Sequence, residues 1–292
     1  MPKRVVLIGH PVSQSLSGVL QQAAFDDLGI DARYEPLDTP LVSLPETIDS
    51  LRGDDYLGAN ITVPYKDRVL PMVDRLTEDA QHTGAIDTVT REGSRLVGHN
   101  TDVAGFRVAL DKLVGAQKMP RAAVVLGAGG GARAAVHALI TAAFQRVIVF
   151  NRHLHRAEAL VRHFTKGAAH MELRAMPWHE SVIEAELAKT KVLVNASFSP
   201  DAASASPIAA ELLPPDLLVL DLLYVPRESQ LLRDARTAGA AATMNGDLML
   251  LHQTAAAFAL WTGRQVSIEL LADKLEAVRE ELAPPASTSG EA

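Results

Sequence analysis

The sequence predicts an α/β protein of two domains. Three observations lead there. The chain has 292 residues, and at roughly 100–200 residues per domain that is enough for two cores. Strand-like and helix-like stretches alternate from Val5 to Asp102, the pattern of a mixed, mainly parallel sheet. A second, cleaner alternation begins at Ala122 and places a glycine loop between a buried strand and a helix, the start of a doubly wound sheet. Hydrophobic residues at 48% and charged residues at 22% match folded chains and exclude a mainly disordered, collagen-like or coiled-coil one.

In the first unit, residues 5–8, 32–36 and 56–61 read as strands and residues 18–28 and 44–51 as helices, because short β-branched runs give way to apolar residues at helical spacing. Residues 86–90 and 95–98 flank Glu92-Gly93-Ser94 as a hairpin. Asn100-Thr101-Asp102 then caps a helix that carries Phe106, Ala109, Leu110 and Leu113 on one face. A linker follows over 115–120. In the second unit, residues 122–126 form a strand, 127–131 the loop, 132–143 a helix and 146–150 the next strand, and further strands at 192–195 and 217–222 continue the rhythm to about Thr243. Two long helical patterns, 247–262 and 268–282, have no strand after them and should pack back on an existing sheet. Residues 283–292 are small and polar with two prolines, a tail expected to be disordered.

Lys and Arg number 28 against 35 Asp and Glu, a net charge of −7, which argues against nonspecific nucleic-acid or anionic membrane binding. Cysteine is absent, which removes disulfides, thiolate catalysis, Cys-based zinc sites and iron–sulfur clusters; no metal site is expected. The first apolar run, 5–8, is far too short to span a bilayer and no signal peptide precedes it, so the expected location is the cytoplasm.

The segment Gly127-Ala128-Gly129-Gly130-Gly131-Ala132 reads G-x-G-x-x-A between strand and helix. Gly127 permits the tight turn, Gly129 lets backbone approach a pyrophosphate, Ala132 allows close helix–strand packing, and the helix N-terminus supplies N–H groups to the anion. That is a Rossmann-type dinucleotide site. The next strand ends in Phe150-Asn151-Arg152-His153, without the carboxylate that would bind a ribose 2′-hydroxyl. Arg152 and Arg156 instead suit a 2′-phosphate and favour NADP over NAD, although each also reads as a solvated charge at a helix start.

In the first unit Asn60, Thr62 and Lys66 bring an amide, a hydroxyl and an ammonium to one strand end, where an open α/β sheet faces its ligand crevice. Ser15 and Ser17 put two hydroxyls before a helix, suited to a carboxylate or to simple capping. Taken singly, Lys66 is a surface lysine, Asp102 a helix cap and Gln253 a satisfied amide on a helix face.

Together these segments resemble the shikimate dehydrogenase family, in chain order and spacing, over nearly the whole sequence. The matching stretches are Gly9-His10-Pro11-Val12 with Ser15-x-Ser17, Asn60-x-Thr62-x-Pro64-x-Lys66, and Gly84-Ala85-Ile86-Asp87-Thr88 with Gly98-His99-Asn100-Thr101-Asp102. The glycine loop with Asn151-Arg152, Asn195-Ala196-Ser197, Asp221-Leu222-Leu223-Tyr224-Val225-Pro226, Met249-Leu250 with Gln253, and Trp261-Thr262-Gly263 complete them. The resemblance implies a substrate domain from residues 1–102 completed by 244–282, an NADP domain over 103–243, and an active site between them. It implies reversible, NADP-dependent reduction of 3-dehydroshikimate to shikimate, with Lys66 donating the proton and stabilising charge beside Asp102. Ser15 and Ser17 would then bind the substrate carboxylate, bordered by Tyr224. Asn60 and Thr62 would hold the polar side of the ring, Gln253 a ring hydroxyl, and Asp87 would stand beside the substrate hydroxyls. The cofactor would meet residues 127–132, Asn151, Arg152, His153, Arg156, Ala196, Ser197, Leu222 and Gly246. The expected partner is this small-molecule substrate, with no nucleic acid and no membrane, and the chain a monomer or homodimer.

The chain departs from the family pattern at Gly18, Gln21 and Gln22, at His153, and at Asp87, where the family places a neutral Asn. A charged Asp87 near Lys66 would raise the lysine pKa; otherwise it would pair with a backbone N–H or an arginine. Alternatives are a quinate/shikimate or aminoshikimate dehydrogenase, or a catalytically weak NADP-binding sensor, against which the pair Lys66 and Asp102 argues.

Overall fold

Two six-stranded sheets organise the chain, and the computed structural model describes residues 2–12, 15–118, 120–198, 201 and 203–282 of it. The first sheet takes its strands from β1 (Lys3–Gly9), β2 (Ala32–Asp38), β3 (Tyr56–Ile61), β4 (Arg75–Leu76), β5 (Thr88–Glu92) and β6 (Arg95–His99), in the order β2-β1-β3-β5-β6-β4. β1 is parallel to β2 and β3, and β4 to β6, whereas β5 runs antiparallel to β3 and β6. The sheet is therefore mixed. β1 is flanked on both sides, and Val5 to Gly9 are all buried, the continuous apolar run of a central parallel strand. Helices α1 (Ser17–Asp27), α2 (Leu44–Ser50) and α3 (Glu78–Thr83) belong to this half. α1 buries Ser17, Leu20, Gln21, Ala24 and Phe25, a helical stripe.

Helix α4 (Asp102–Val114) leads to the second sheet, which is built from β7 (Ala122–Leu126), β8 (Arg146–Phe150), β9 (Glu172–Met176), β10 (Val192–Asn195), β11 (Leu218–Asp221) and β12 (Ala242–Met244). Every pairing is parallel in the order β12-β11-β10-β7-β8-β9. Helices α5 (Gly130–Thr141), α6 (Leu154–Phe164), α7 (Glu180–Leu187) and α8 (Gln230–Thr237) connect them. α4, α5 and α6 cover one face and α7 and α8 the other, the double winding that sequence periodicity implies. α5 starts two residues earlier than the pattern suggests, so Gly130 and Gly131 form its first turn.

The chain then returns. Helices α9 (Asp247–Thr262) and α10 (Ile268–Leu282) pack with α1 against the first sheet, around Val5, Leu7, Phe25 and Phe258, as expected of helices with no strand to follow. The expected tail, 283–292, lies outside the described residues. No helix among the described residues is long and apolar enough to cross a membrane.

α9 serves both cores: Met249 packs with Phe106 and Leu110 of α4, while Leu250, Ala257 and Phe258 pack in the core of the first sheet. A fully buried Phe such as Phe258 contributes about 1.5–3 kcal/mol. α4 and α9 cross at Gly105, where a Cβ would sit 2.5 Å from the Met249 carbonyl oxygen. A polar contact joins the halves elsewhere. Arg133 of α5 donates to the Thr83 carbonyl at 3.1 Å, His163 of α6 lies 2.8 Å from the His82 carbonyl, and His137 lies 3.4 Å from Asp79. Gly105→Ala is expected to push α4 and α9 apart and to lower stability by about 1–3 kcal/mol, read as a drop in denaturant midpoint; an unchanged midpoint would show that the crossing has slack.

Candidate active site

Strand ends and helix starts from both halves converge on one lysine. β3 carries Asn60 inward and ends at Ile61, and Thr62 to Lys66 follow over its carboxyl end. The Thr62 N–H donates to the Ile8 carbonyl and the His10 N–H to the Val63 carbonyl, which ties the loops after β1 and β3 together. Lys66 Nζ donates to Asp102 Oδ2 at 2.5 Å, with side chains 17% and 5% exposed. The opposite wall is the glycine loop. A Cβ on Gly130 would lie 2.6 Å from Lys66 Cδ and 2.9 Å from its Cβ, so only a glycine lets the loop lie this close.

Burial acts to lower the Lys66 pKa, but the charges of Asp102 and Asp87 and the hydrogen bond to Asp102 outweigh it and hold the ammonium above its usual value. Tyr224 faces the same pair. Burial raises its phenol, opposed by a hydrogen bond from Ser15 and by the Lys66 charge. Ser15 Oγ also accepts the Ser17 N–H at 3.3 Å, and Ser17 opens α1, 8% exposed. Ser15, Tyr224, Lys66 and Asp102 thus form one group. Gln253 is half-buried on α9 and Thr62 half-buried after β3; no side-chain hydrogen bond ties either to Lys66.

Asn60 and Asp87 are engaged within the protein. Asn60 Oδ1 accepts from Tyr34 Oη at 2.8 Å, and its Nδ2 donates to the Asp87 carbonyl and to Thr88 Oγ1. Asp87 is 1% exposed. Its Oδ1 accepts from Thr88 Oγ1, Thr101 N and Thr101 Oγ1 at 2.7–2.9 Å, and its Oδ2 from Asp102 N at 2.5 Å. The two readings of Asp87 therefore both hold in part: its field reaches Lys66, and its oxygens pair with backbone N–H groups. No geometry here directs it to a substrate hydroxyl.

On the cofactor side, Gly127 has φ +108°, and a Cβ on it would lie 2.6 Å from the Ala196 carbonyl oxygen. Gly131 faces Leu222, and Gly246 presses on the Leu222 backbone. The loop, Ala196, Ser197, Leu222 and Gly246 are thereby brought together. Asn195 Oδ1 accepts from the Ser197 N–H and hydroxyl, and buried Asp221 ties Asn195, the Leu223 N–H and Ser229. A Cβ on Gly129 would meet nothing within 4 Å, and no side chain caps the α5 N-terminus beside it. Open backbone and uncapped N–H groups fit a pyrophosphate. Arg152, His153 and Arg156 are exposed at the start of α6. Asn151 Nδ2 donates to the His153 carbonyl at 2.9 Å, Arg152 reaches the Phe198 carbonyl at 3.4 Å, and among the described residues neither arginine pairs with a carboxylate. Cations without a carboxylate partner fit a 2′-phosphate.

Sequence reasoning missed Tyr34, Thr88 and Thr101, which orient Asn60 and Asp87. Thr88 and Thr101 lie within the stretches that carry the family resemblance but had no role of their own there, and Tyr34, in the middle of β2, carried no signal.

Family models describing the shikimate dehydrogenase substrate binding domain and shikimate/quinate 5-dehydrogenase match residues 7–89 and 110–228. A shikimate dehydrogenase (NADP(+)) of Halothermothrix orenii is 34% identical over 283 residues, 96% of each chain. The crystal structure of a Thermus thermophilus shikimate 5-dehydrogenase in complex with NADP(H) and shikimate is 36% identical, with a TM-score of 0.81 over 94% of this chain and 99% of that one. A Corynebacterium glutamicum quinate dehydrogenase in complex with NAD is 28% identical, with a TM-score of 0.84 over 94% and 99%. Likeness at this level runs through both sheets and through the loops that meet at Lys66, and the chain belongs to the shikimate dehydrogenase family.

Proposed function

We propose that the chain interconverts 3-dehydroshikimate and shikimate with NADP(H), and that Lys66 and Asp102 carry the proton chemistry. The observation that supports this best is the buried Lys66–Asp102 pair lying directly against the glycine loop. It puts an ammonium where the dinucleotide loop of one half meets the strand ends of the other. When bound, the nicotinamide cofactor supplies the hydride to the carbonyl carbon or takes it in the reverse direction.

The protein's own part follows from charge. In reduction the carbonyl oxygen becomes an alkoxide, and the Lys66 ammonium stabilises that charge and donates a proton to it. Asp102 holds the ammonium in place and keeps it protonated at neutral pH. Ser15 and Ser17, bordered by Tyr224, receive the substrate carboxylate. Thr62 and Gln253 meet ring hydroxyls, with Asn60 orienting that wall of the cleft. Arg152, with Arg156 and His153 near it, takes the 2′-phosphate, and Gly127 to Ala132, Ala128 included, cradle the pyrophosphate. The chain works as a monomer or homodimer in the cytoplasm.

The direct test follows NADPH or NADH formation with shikimate and with quinate. Turnover is expected with shikimate and NADP; turnover only with quinate and NAD would replace this reading with that of a quinate dehydrogenase. Lys66→Ala should lower kcat by about a thousandfold with a much smaller change in KM, because the interaction strengthens as charge develops. Survival of kcat within about tenfold, under about 1.4 kcal/mol of barrier, would leave Lys66 a binding residue. Oxidation needs the neutral amine, and a pKa held above its usual value keeps that form scarce at pH 7. The oxidation rate should therefore climb with pH through the alkaline range. Arg152→Ala should raise KM for NADP by about tenfold and leave NAD nearly unaffected, since NAD lacks the phosphate; an equal loss for both would assign Arg152 to another part of the cofactor.

A further inference from the structure

Asp87 has more hydrogen bonds than any role in touching substrate would explain. Four donors converge on its carboxylate: the Thr88 hydroxyl, the Thr101 hydroxyl, and the main-chain N–H groups of Thr101 and Asp102. Two of these N–H groups belong to the start of α4, where no intrahelical acceptor is within reach. Thr101 at the N-cap position makes no side-chain capping bond, and Asn100 Oδ1 accepts the Val103 N–H at 3.3 Å. The N–H groups of Thr101 and Asp102 are capped from across the chain, by the residue just before β5. Thr88 Oγ1 accepts from Asn60, whose oxygen accepts from Tyr34, so the carboxylate is itself braced by a buried chain of hydrogen bonds. The Asp102 side chain in turn accepts from the Lys66 ammonium.

We infer that Asp87 is a positioning residue: its carboxylate clamps the first turn of α4 and so sets Asp102 against Lys66, without contacting substrate. This rests on the reading of Lys66 and Asp102 given above. The chemistry of the clamp requires a carboxylate. The two N–H groups point at two different oxygens, and both oxygens must accept. An amide offers one acceptor and one donor, so Asn in this position would confront one of the two N–H groups with another N–H. The neutral Asn expected from the family resemblance cannot make the same grip, which gives the departure at this position a physical reason.

The charge balance agrees. Burial, then repulsion from Asp102, push the Asp87 carboxyl up to about 6, against the pull of Lys66, the Thr101 N–H and the Thr88 hydroxyl. The charged and titratable groups around it are Asp102 on α4, Lys66 after β3 and, facing both of these, Tyr224 after β11. Because the pKa is raised in the folded state, ionisation of Asp87 costs stability: the fold is favoured below about pH 4 and loses that advantage as pH rises toward 6. The protein keeps the anion at neutral pH despite this cost. Protonation below about 6 turns one oxygen into a donor and releases one of its N–H partners.

The test combines Asp87→Asn with Thr101→Val, which removes one hydroxyl donor and leaves the backbone N–H. Asp87→Asn is expected to lower kcat by about 10- to 100-fold, the scale of a misplaced catalytic group, with KM for shikimate within about threefold. It should also abolish an acid limb near pH 6 in 3-dehydroshikimate reduction, and move the alkaline limb of shikimate oxidation to lower pH, because one of the charges that raise the Lys66 pKa is gone. Thr101→Val should shift kcat in the same direction by a smaller factor, and it carries the test if Asp87→Asn does not fold. A large rise in KM with kcat preserved would make Asp87 a substrate ligand and overturn the inference, as would wild-type kcat and pH limbs in either variant. Failure of the underlying reading shows separately, as a Lys66→Ala enzyme that keeps its kcat.

Discussion

The ion pair between Lys66 and Asp102 is the constraint around which the rest is arranged. Taking an ammonium and a carboxylate out of water costs several kcal/mol per ion, and the pair recovers this only through close geometry and satisfied hydrogen bonds. Each half of the fold contributes to that geometry. β3 delivers Lys66, α4 delivers Asp102, and the first turn of α5 closes over the lysine stem. A pair of this kind is weak support for stability, and an apolar pair of the same volume would hold the domains together at least as well. On the proposed function its presence has a different reason, the charge an oriented ammonium offers to a developing alkoxide.

The two halves are joined by unlike contacts. α4 and α9 meet through Phe106, Leu110 and Met249, and the absence of a side chain at Gly105 brings the helices into backbone contact. α3 meets α5 and α6 through hydrogen bonds and histidines: Arg133 to Thr83, His163 to His82, His137 beside Asp79. Burial lowers the His137 pKa and the neighbouring Asp79 raises it, with the net shift downward. The apolar junction excludes water and resists separation, whereas each polar contact, exposed at His163 and partly buried at Arg133 and His137, contributes about 1 kcal/mol.

Much of this was legible in the sequence because the central strands are apolar on both faces. Residues 122–126, 146–150 and 192–195 are continuous buried runs, and their bounds coincide with β7, β8 and β10. The edges were not legible. β9 is half-exposed along its length, β12 has three half-buried residues, and β4 is only an exposed Arg75 and a half-buried Leu76, so none offers a periodic signal. The site divides in the same way. The Lys66 and glycine-loop segments stand out through rare local patterns, whereas the roles of Asp87, Thr101 and Tyr34 depend on which backbone groups arrive opposite them. Such pairings join residues separated by 14 to 26 positions, and no local rule brings them together.

Gly130 shows how far such long-range arrangement reaches into a short motif. In a glycine-rich loop every glycine is ordinarily credited to the phosphates it lets approach. Here Gly129 has open space where its side chain would be, whereas the place of the Gly130 side chain is already filled by the Lys66 stem. Two residues 64 positions apart and in different halves thus share one methyl-sized volume. The third glycine of the run is consequently dictated by a lysine outside its own domain, and the identity of either residue is free to change only in step with the other.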